Sequence, residues 1–153
     1  MVKRTRFDES DCPVARSVDA IGDWWSLLIV RDAFDGSRRF GEFQRSLGVA
    51  KNILTTRLRG LVAGGVLESV PAPDGGAYRE YRLTPKGEAL FPVIVALRQW
   101  GEANFFEPGE PHSELVDRDQ GRRLRPLLVQ AADGKVIGPD DTVVHKVSAA
   151  EQR

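Results

Sequence analysis

Six basic side chains crowd one short stretch of an otherwise neutral chain. Between Gly36 and Gly60 lie Arg38, Arg39, Arg45, Lys51, Arg57 and Arg59 against a single acid, Glu42, while the whole 153-residue chain balances 22 basic against 22 acidic residues. Phosphate contacts come from one face of a protein, so a local excess of this kind matters more than the net charge. A solvated basic surface is the plainer reading of the charge alone. The residues between the charges sharpen it, because Asn52, Thr55, Thr56 and Arg59 recur at helical spacing. Asn suits an adenine edge, Arg a guanine edge and Thr a thymine methyl, with Lys51 and Arg57 at the margins of that face. Arg38 and Arg39 precede it and are suited to phosphates, which set register without carrying sequence information.

Other chemistries find little support. His112 and His145 lie far apart in the last third of the chain, without a nucleophile motif beside them, and neither a glycine-rich phosphate loop nor a metal-ligand spacing appears. No catalytic residue, metal or cofactor is expected. The single cysteine, Cys12, excludes an internal disulfide framework and a cysteine-based zinc site within one chain. A thiol at a helix start gains from the helix dipole, and Arg16 one turn on favours the thiolate; Asp8, Glu9 and Asp11 oppose it. A buried, inert cysteine is the alternative to a redox role. No apolar run approaches the roughly 18 residues that would span a bilayer, and the first residues lack the apolar stretch of a signal peptide. A cytoplasmic protein is expected.

Such residues need a scaffold, and the apolar spacing supplies one. Cys12-Pro13 reads as a helix start, with Val14, Ala15, Val18 and Ile21 behind it and a stop near Gly22. Trp24–Phe34 is apolar around most of its circumference and should be the central helix. A short helix over Gly41–Leu47 ends at Gly48. A longer one over Lys51–Ala63 carries Leu54, Leu58, Leu61 and Val62 as its inner stripe and stops at Gly64-Gly65. Two helices around a glycine-containing turn make a helix-turn-helix. Strand-like runs at 66–70 and 78–83 flank a Pro/Asp/Gly-rich loop and predict a hairpin. Thr84-Pro85 starts a further helix, which Pro92 should kink or break. After Pro108 and Pro111, residues 114–147 read as a small β-hairpin or meander, with a frayed tail beyond Ser148. The fold class is therefore mainly α with a small β wing (α+β). It is a winged helix-turn-helix domain over 1–107 and a β-hairpin-like extension over 108–153.

Cys12-Pro13-Val14, Trp24 to Leu28, Arg31-Asp32, Gly36–Phe40, Phe43, Leu54-Thr55-Thr56-Arg57-Leu58 and Glu80-Tyr81-Arg82-Leu83-Thr84 together resemble the HxlR family of winged-helix regulators, related to the MarR regulators. The match runs in unbroken order over about residues 12–104. The resemblance implies a homodimer on double-stranded DNA that represses or activates a gene and answers to a small-molecule or electrophile effector. It also implies a dimer interface from the first helix and the helix after the wing, here Val14, Val18, Leu97, Trp100 and Phe105. Ordinary core packing is the alternative for each of these. Two departures stand out. Arg79 occupies a wing position where an apolar residue is usual, making it a candidate for the minor groove. The extension has Gln130 and Ala131 where longer relatives carry cysteines.

The expected function is sequence-specific DNA binding, with repression as the expected sign. The helix at about 51–63 would sit in the major groove and the wing at about 71–79 at the minor groove. A protein-interaction module built on a winged helix is one alternative. A Cys12-based redox or electrophile sensor is the other.

Overall fold

The computed structural model describes residues 5–151. Helix α1 (Pro13–Ile21) starts on a proline, with Cys12 as its N-cap residue, and ends where the Gly22 N–H returns to the Val18 carbonyl at 2.7 Å. Asp23 then caps α2 (Trp24–Phe34). Its Oδ1 accepts from the Ser26 N–H at 2.9 Å and its Oδ2 from the Ser26 hydroxyl at 2.6 Å, which satisfies donors that a helix start leaves orphaned. Ile29, Val30 and Ala33 of α2 are fully enclosed. Around them gather Phe43 of α3 (Phe40–Leu47), Leu54, Leu58 and Leu61 of α4 (Lys51–Ala63), and Val66 and Leu67.

Two glycines set the angles of this arrangement. Gly48 ends α3 in the left-handed region (φ 62°, ψ 24°), with its N–H on the Gln44 carbonyl at 2.8 Å. Only glycine takes up that backbone without cost, so the turn between the two helices depends on it. Gly65 (φ 74°) closes α4. Its N–H reaches the Val62 carbonyl at 3.0 Å, while the Val66 N–H reaches back to Leu61 at 2.9 Å. That paired pattern is a Schellman motif, and it turns the chain directly into the hairpin.

Strand β1 (Leu67–Pro71) pairs antiparallel with β2 (Arg79–Leu83), Leu67 opposite Leu83 and Pro71 opposite Arg79. The hairpin leans on the core through Tyr81, whose ring stands edge-on to Phe43 at 6.4 Å. The Tyr81 N–H also donates to the Arg38 carbonyl at 2.7 Å. The extended link at Arg38-Arg39 thus makes a single strand-like bond to β2. At Thr84 the hydroxyl accepts from the Gly87 N–H at 3.1 Å and donates to the Gly65 carbonyl, capping the short helix α5 (Pro85–Glu88) and joining it to the end of α4. A turn at Ala89-Leu90 then separates α5 from α6 (Phe91–Phe105). Pro92 falls in the first turn of α6, where its missing N–H leaves no gap in the helix ladder.

The chain divides into two compact units between Ile94 and Val95, inside α6 rather than after it at 107–108. In the second unit the expected hairpin is reduced to two isolated antiparallel bridges, Val116 with Arg123 and Gln130 with Val136, and a 3-10 turn at Pro139–Asp141. Few backbone bonds run across these turns (Asp117 N–H to the Arg122 carbonyl at 2.9 Å, Ala131 N–H to Lys135 at 2.8 Å, Ile137 N–H to Val129 at 3.0 Å), and side chains supplement them. The Asp117 carboxylate accepts from the Gln120 and Arg122 N–H groups (2.6 and 3.1 Å), and the Gln99 amide bridges the Arg125 carbonyl and the Leu127 N–H (3.1 and 2.7 Å). Beyond Ser148, where fraying is expected, residues to 151 form a turn in which the Glu151 carboxylate accepts from the Ser148 N–H and hydroxyl. The last two residues lie outside those described.

Candidate nucleic-acid interface

Helix α4 presents two unlike faces. Leu54, Leu58 and Leu61 are buried, while Lys51, Asn52, Thr56 and Arg59 are exposed on the other side and Thr55 is half-buried at the margin. Asn52, Thr55, Thr56 and Arg59 follow the i, i+3, i+4, i+7 spacing of one helix face. The Thr56 hydroxyl donates to the Asn52 carbonyl at 2.9 Å, which leaves its methyl and its oxygen lone pairs for contact. The Arg59 guanidinium has no ion pair or hydrogen bond among the described residues, and the same holds for the Lys51 ammonium.

The remaining basic candidates are engaged within the first unit. The Arg38 guanidinium donates to the Ala33 carbonyl (2.8 Å) and the Ser37 carbonyl (2.9 Å), holding the C-terminal end of α2. Arg57 turns away from the Asn52 face, and its Nε lies 3.1 Å from Oδ1 of Asp23 at the start of α2. The contact is an ion pair without an aligned hydrogen bond, since the Nε–H has no acceptor in good geometry. Arg79 folds across the hairpin onto the Ser69 hydroxyl and carbonyl, both at 2.8 Å. Arg39, the N-cap residue of α3, reaches the tip of the wing and pairs with Asp74 at 3.1 Å. The Gly76 N–H, and after it the Arg39 guanidinium, hold the Asp74 carboxyl below its ordinary value of 3.8.

Sequence reasoning missed three features here. Asp74 read only as a turn residue, although an acid in the Asp-Gly-Gly tip of the hairpin within reach of a basic segment is itself a signal. Arg45, counted in the charge excess but given no contact, is exposed on α3, and Tyr78 is exposed beside the wing tip. Behind the interface, Asp32 is buried; its Oδ1 takes both Nε and Nη2 of Arg31 (3.0 and 2.8 Å), and its Oδ2 has no partner among the described residues.

Cys12 is exposed. Arg16 Nε donates to the Ser10 carbonyl, while the Ser10 hydroxyl oxygen accepts from the Cys12 N–H at 3.1 Å. Val14 and Val18 on α1 are 69% and 46% exposed, and Leu97, Trp100 and Phe105 on α6 are 46%, 60% and 68% exposed. The Trp100 and Phe105 rings stack edge-on at 5.1 Å. Among the described residues, none of these five belongs to the buried core cluster or to the partly buried side chains packed against it. Among the described residues no helix is long and apolar enough to cross a membrane.

A helix-turn-helix with a two-stranded wing and a free polar face on its second helix defines a winged-helix DNA-binding regulator of transcription. The chain belongs to the HxlR-like helix-turn-helix family, whose model matches residues 20–109. It is similar to an uncharacterised HTH-type transcriptional regulator of Mycobacterium tuberculosis (strain ATCC 25618 / H37Rv), at 40% identity over 124 residues, 81% of this chain and 78% of that one. Among solved structures it resembles PA1607, described as a candidate transcription factor, with a TM-score of 0.87 and 57% identity over 91% of this chain and 97% of that one. That likeness is long enough to take in most of the C-terminal extension. The redox regulator HypR in its oxidised form is also similar, with a TM-score of 0.57 and 33% identity over 63% of this chain and all of that one.

Proposed function

We propose that this regulator works as a homodimeric repressor, laying α4 in the major groove and the wing at 71–79 along the minor groove. The observation that carries this reading is the face of α4, where Asn52, Thr56 and Arg59 stand exposed opposite a fully buried leucine stripe. A helix held by one apolar stripe and free on the other side has the form that enters a major groove. Arg39 and Arg38 flank that helix as phosphate anchors, and the apolar faces of α1 and α6 support self-association. Footprinting on the DNA upstream of its own gene tests the proposal. Two protected half-sites with centres about one helical turn (~34 Å) apart are expected. Log affinity should fall linearly with log salt, with a slope of several phosphates per dimer. Absence of any duplex binding at low salt overturns the reading.

Redox control through Cys12 is the second reading. It is favoured by the exposure of the thiol at the start of α1 and by the likeness to a redox regulator. One cysteine per chain limits the product to an alkylated thiol, a sulfenate, a mixed disulfide or a bridge between subunits.

A further inference from the structure

The ion pair between Arg39 and Asp74 joins two elements that are 35 residues apart in sequence and that both belong to the DNA-facing side of the reading above. We propose that Asp74 is an intramolecular stand-in for a DNA phosphate, holding Arg39 in the free protein and yielding it to the duplex on binding. The residue thereby sets the affinity of the regulator for DNA of any sequence. This inference rests on the proposed placement of the wing and of Arg39 against the duplex.

The carboxylate divides its two oxygens between two tasks. Oδ1 accepts from the Gly76 N–H at 2.9 Å and shapes the wing tip, where Gly75 takes a positive φ of 74°. Oδ2 accepts from Nη2 of Arg39 at 3.1 Å. One contact uses one of the five guanidinium donors, so the rest of the fork stays open to a phosphate. Both side chains are well exposed, 41% for Arg39 and 62% for Asp74. An exposed pair of this kind is weak and exchangeable. It also differs from the other arginine contacts of the interface. Arg38 and Arg79 donate to neutral groups within the fold, and Arg57 pairs with a carboxylate that already caps α2.

The charge balance gives the inference its measurable form. An acid on a surface that approaches phosphates is repelled by them. When a phosphate replaces Asp74 on Arg39, the freed carboxylate is left beside the duplex and takes up a cation, which offsets the counterion that the phosphate releases. Removing the Asp74 charge makes Arg39 a full phosphate contact, steepening the salt dependence by up to about 0.9 per protomer.

Asp74→Asn is the selective change, because the amide keeps an oxygen for the Gly76 N–H and loses the charge toward Arg39. Wild type, Asp74→Asn, Asp74→Glu, Arg39→Ala and the Arg39→Ala/Asp74→Asn double variant are compared on the operator and on an unrelated duplex. Fluorescence anisotropy from 50 to 200 mM salt reads both affinity and slope. Asp74→Asn should bind both duplexes roughly two- to fivefold tighter, with the steeper slope; Asp74→Glu should behave as wild type. In the Arg39→Ala background the gain should shrink to the part that direct repulsion between Asp74 and the phosphates accounts for. A gain of equal size in that background reduces Asp74 to a distant repulsive charge and overturns the exchange. Unchanged or weaker binding by Asp74→Asn overturns it as well. Wild type that binds neither duplex brings down the DNA-facing reading itself, an outcome separate from these.

Discussion

Replacing Gly87 by alanine should unfold the first unit far more readily than helix propensity allows. Gly87 lies in α5, and a change to alanine within a helix is worth about 0.5–1 kcal/mol in favour of folding. Its surroundings reverse that sign. A Cβ built on Gly87 would stand 2.1 Å from the Val66 carbonyl oxygen and 3.0 Å from Leu83 Cδ2. The carbonyl would have to retreat by about an ångström to restore an ordinary contact. It is not free to do so, because it accepts from the Thr84 N–H at 3.1 Å and belongs to a residue whose own N–H is tied to Leu61 at 2.9 Å. Overpacking costs about 1–3 kcal/mol, and each hydrogen bond that yields adds about 1 kcal/mol. A loss of about 3–5 kcal/mol follows, enough to lower Tm by at least about 10 °C. Thermal unfolding of the full chain followed by circular dichroism measures it. Gly60→Ala is the internal control, since nothing lies within 4 Å of the added Cβ there, and it should stabilise by about 0.5–1 kcal/mol. A Tm loss below about 3 °C for Gly87→Ala would refute the close approach of α5 to the end of α4.

Five further outcomes are expected. Arg59→Ala should relax sequence preference at a cost of roughly 1–3 kcal/mol against the operator, while Arg38→Ala should weaken all duplexes alike and also lower Tm, because its bonds to Ala33 and Ser37 are lost. Leu97→Asp should shift sedimentation toward the monomer and weaken operator binding with little effect on the fold of one chain, given the exposure of Leu97; an unchanged dimer removes Leu97 from the interface. The depressed pKa of Asp74 places its contacts fully in force above pH 3.8 and loses them only as pH falls through the lower folded value, so the affinity gain of Asp74→Asn should stay constant between pH 5 and 8. Diamide should change operator affinity in wild type but not in Cys12→Ser if the thiol carries a signal; identical responses eliminate that reading.

Much of the architecture was legible because it is local. The expected helices over Trp24–Phe34 and Lys51–Ala63 match α2 and α4 residue for residue, and the Gly48 and Gly64-Gly65 stops fall where the backbone needs them. The expectation of strands beyond Glu114 fared less well. Turn residues and β-branched runs are present there, yet Gln99 and Asp117 take up backbone groups that a partner strand would otherwise satisfy. Periodicity does not register a side chain that replaces a strand.

By itself the sequence determined which stretch is basic, that it lies on a helix-turn-helix, and which face of the second helix is polar. Those features follow from charge, spacing and glycine, all properties of neighbouring residues. The tertiary structure alone decided which cations are free. Arg38 was drawn into the end of α2, Arg57 toward Asp23, Arg79 onto Ser69 and Arg39 onto Asp74, while Arg59 and Lys51 were left to solvent. An arginine spans several residues of space and takes whatever acceptor the fold brings within reach. For Arg39 and Arg57 the acceptor comes from a segment more than thirty residues away, and even for Arg38 and Arg79 it is the folded backbone that brings the acceptor within reach.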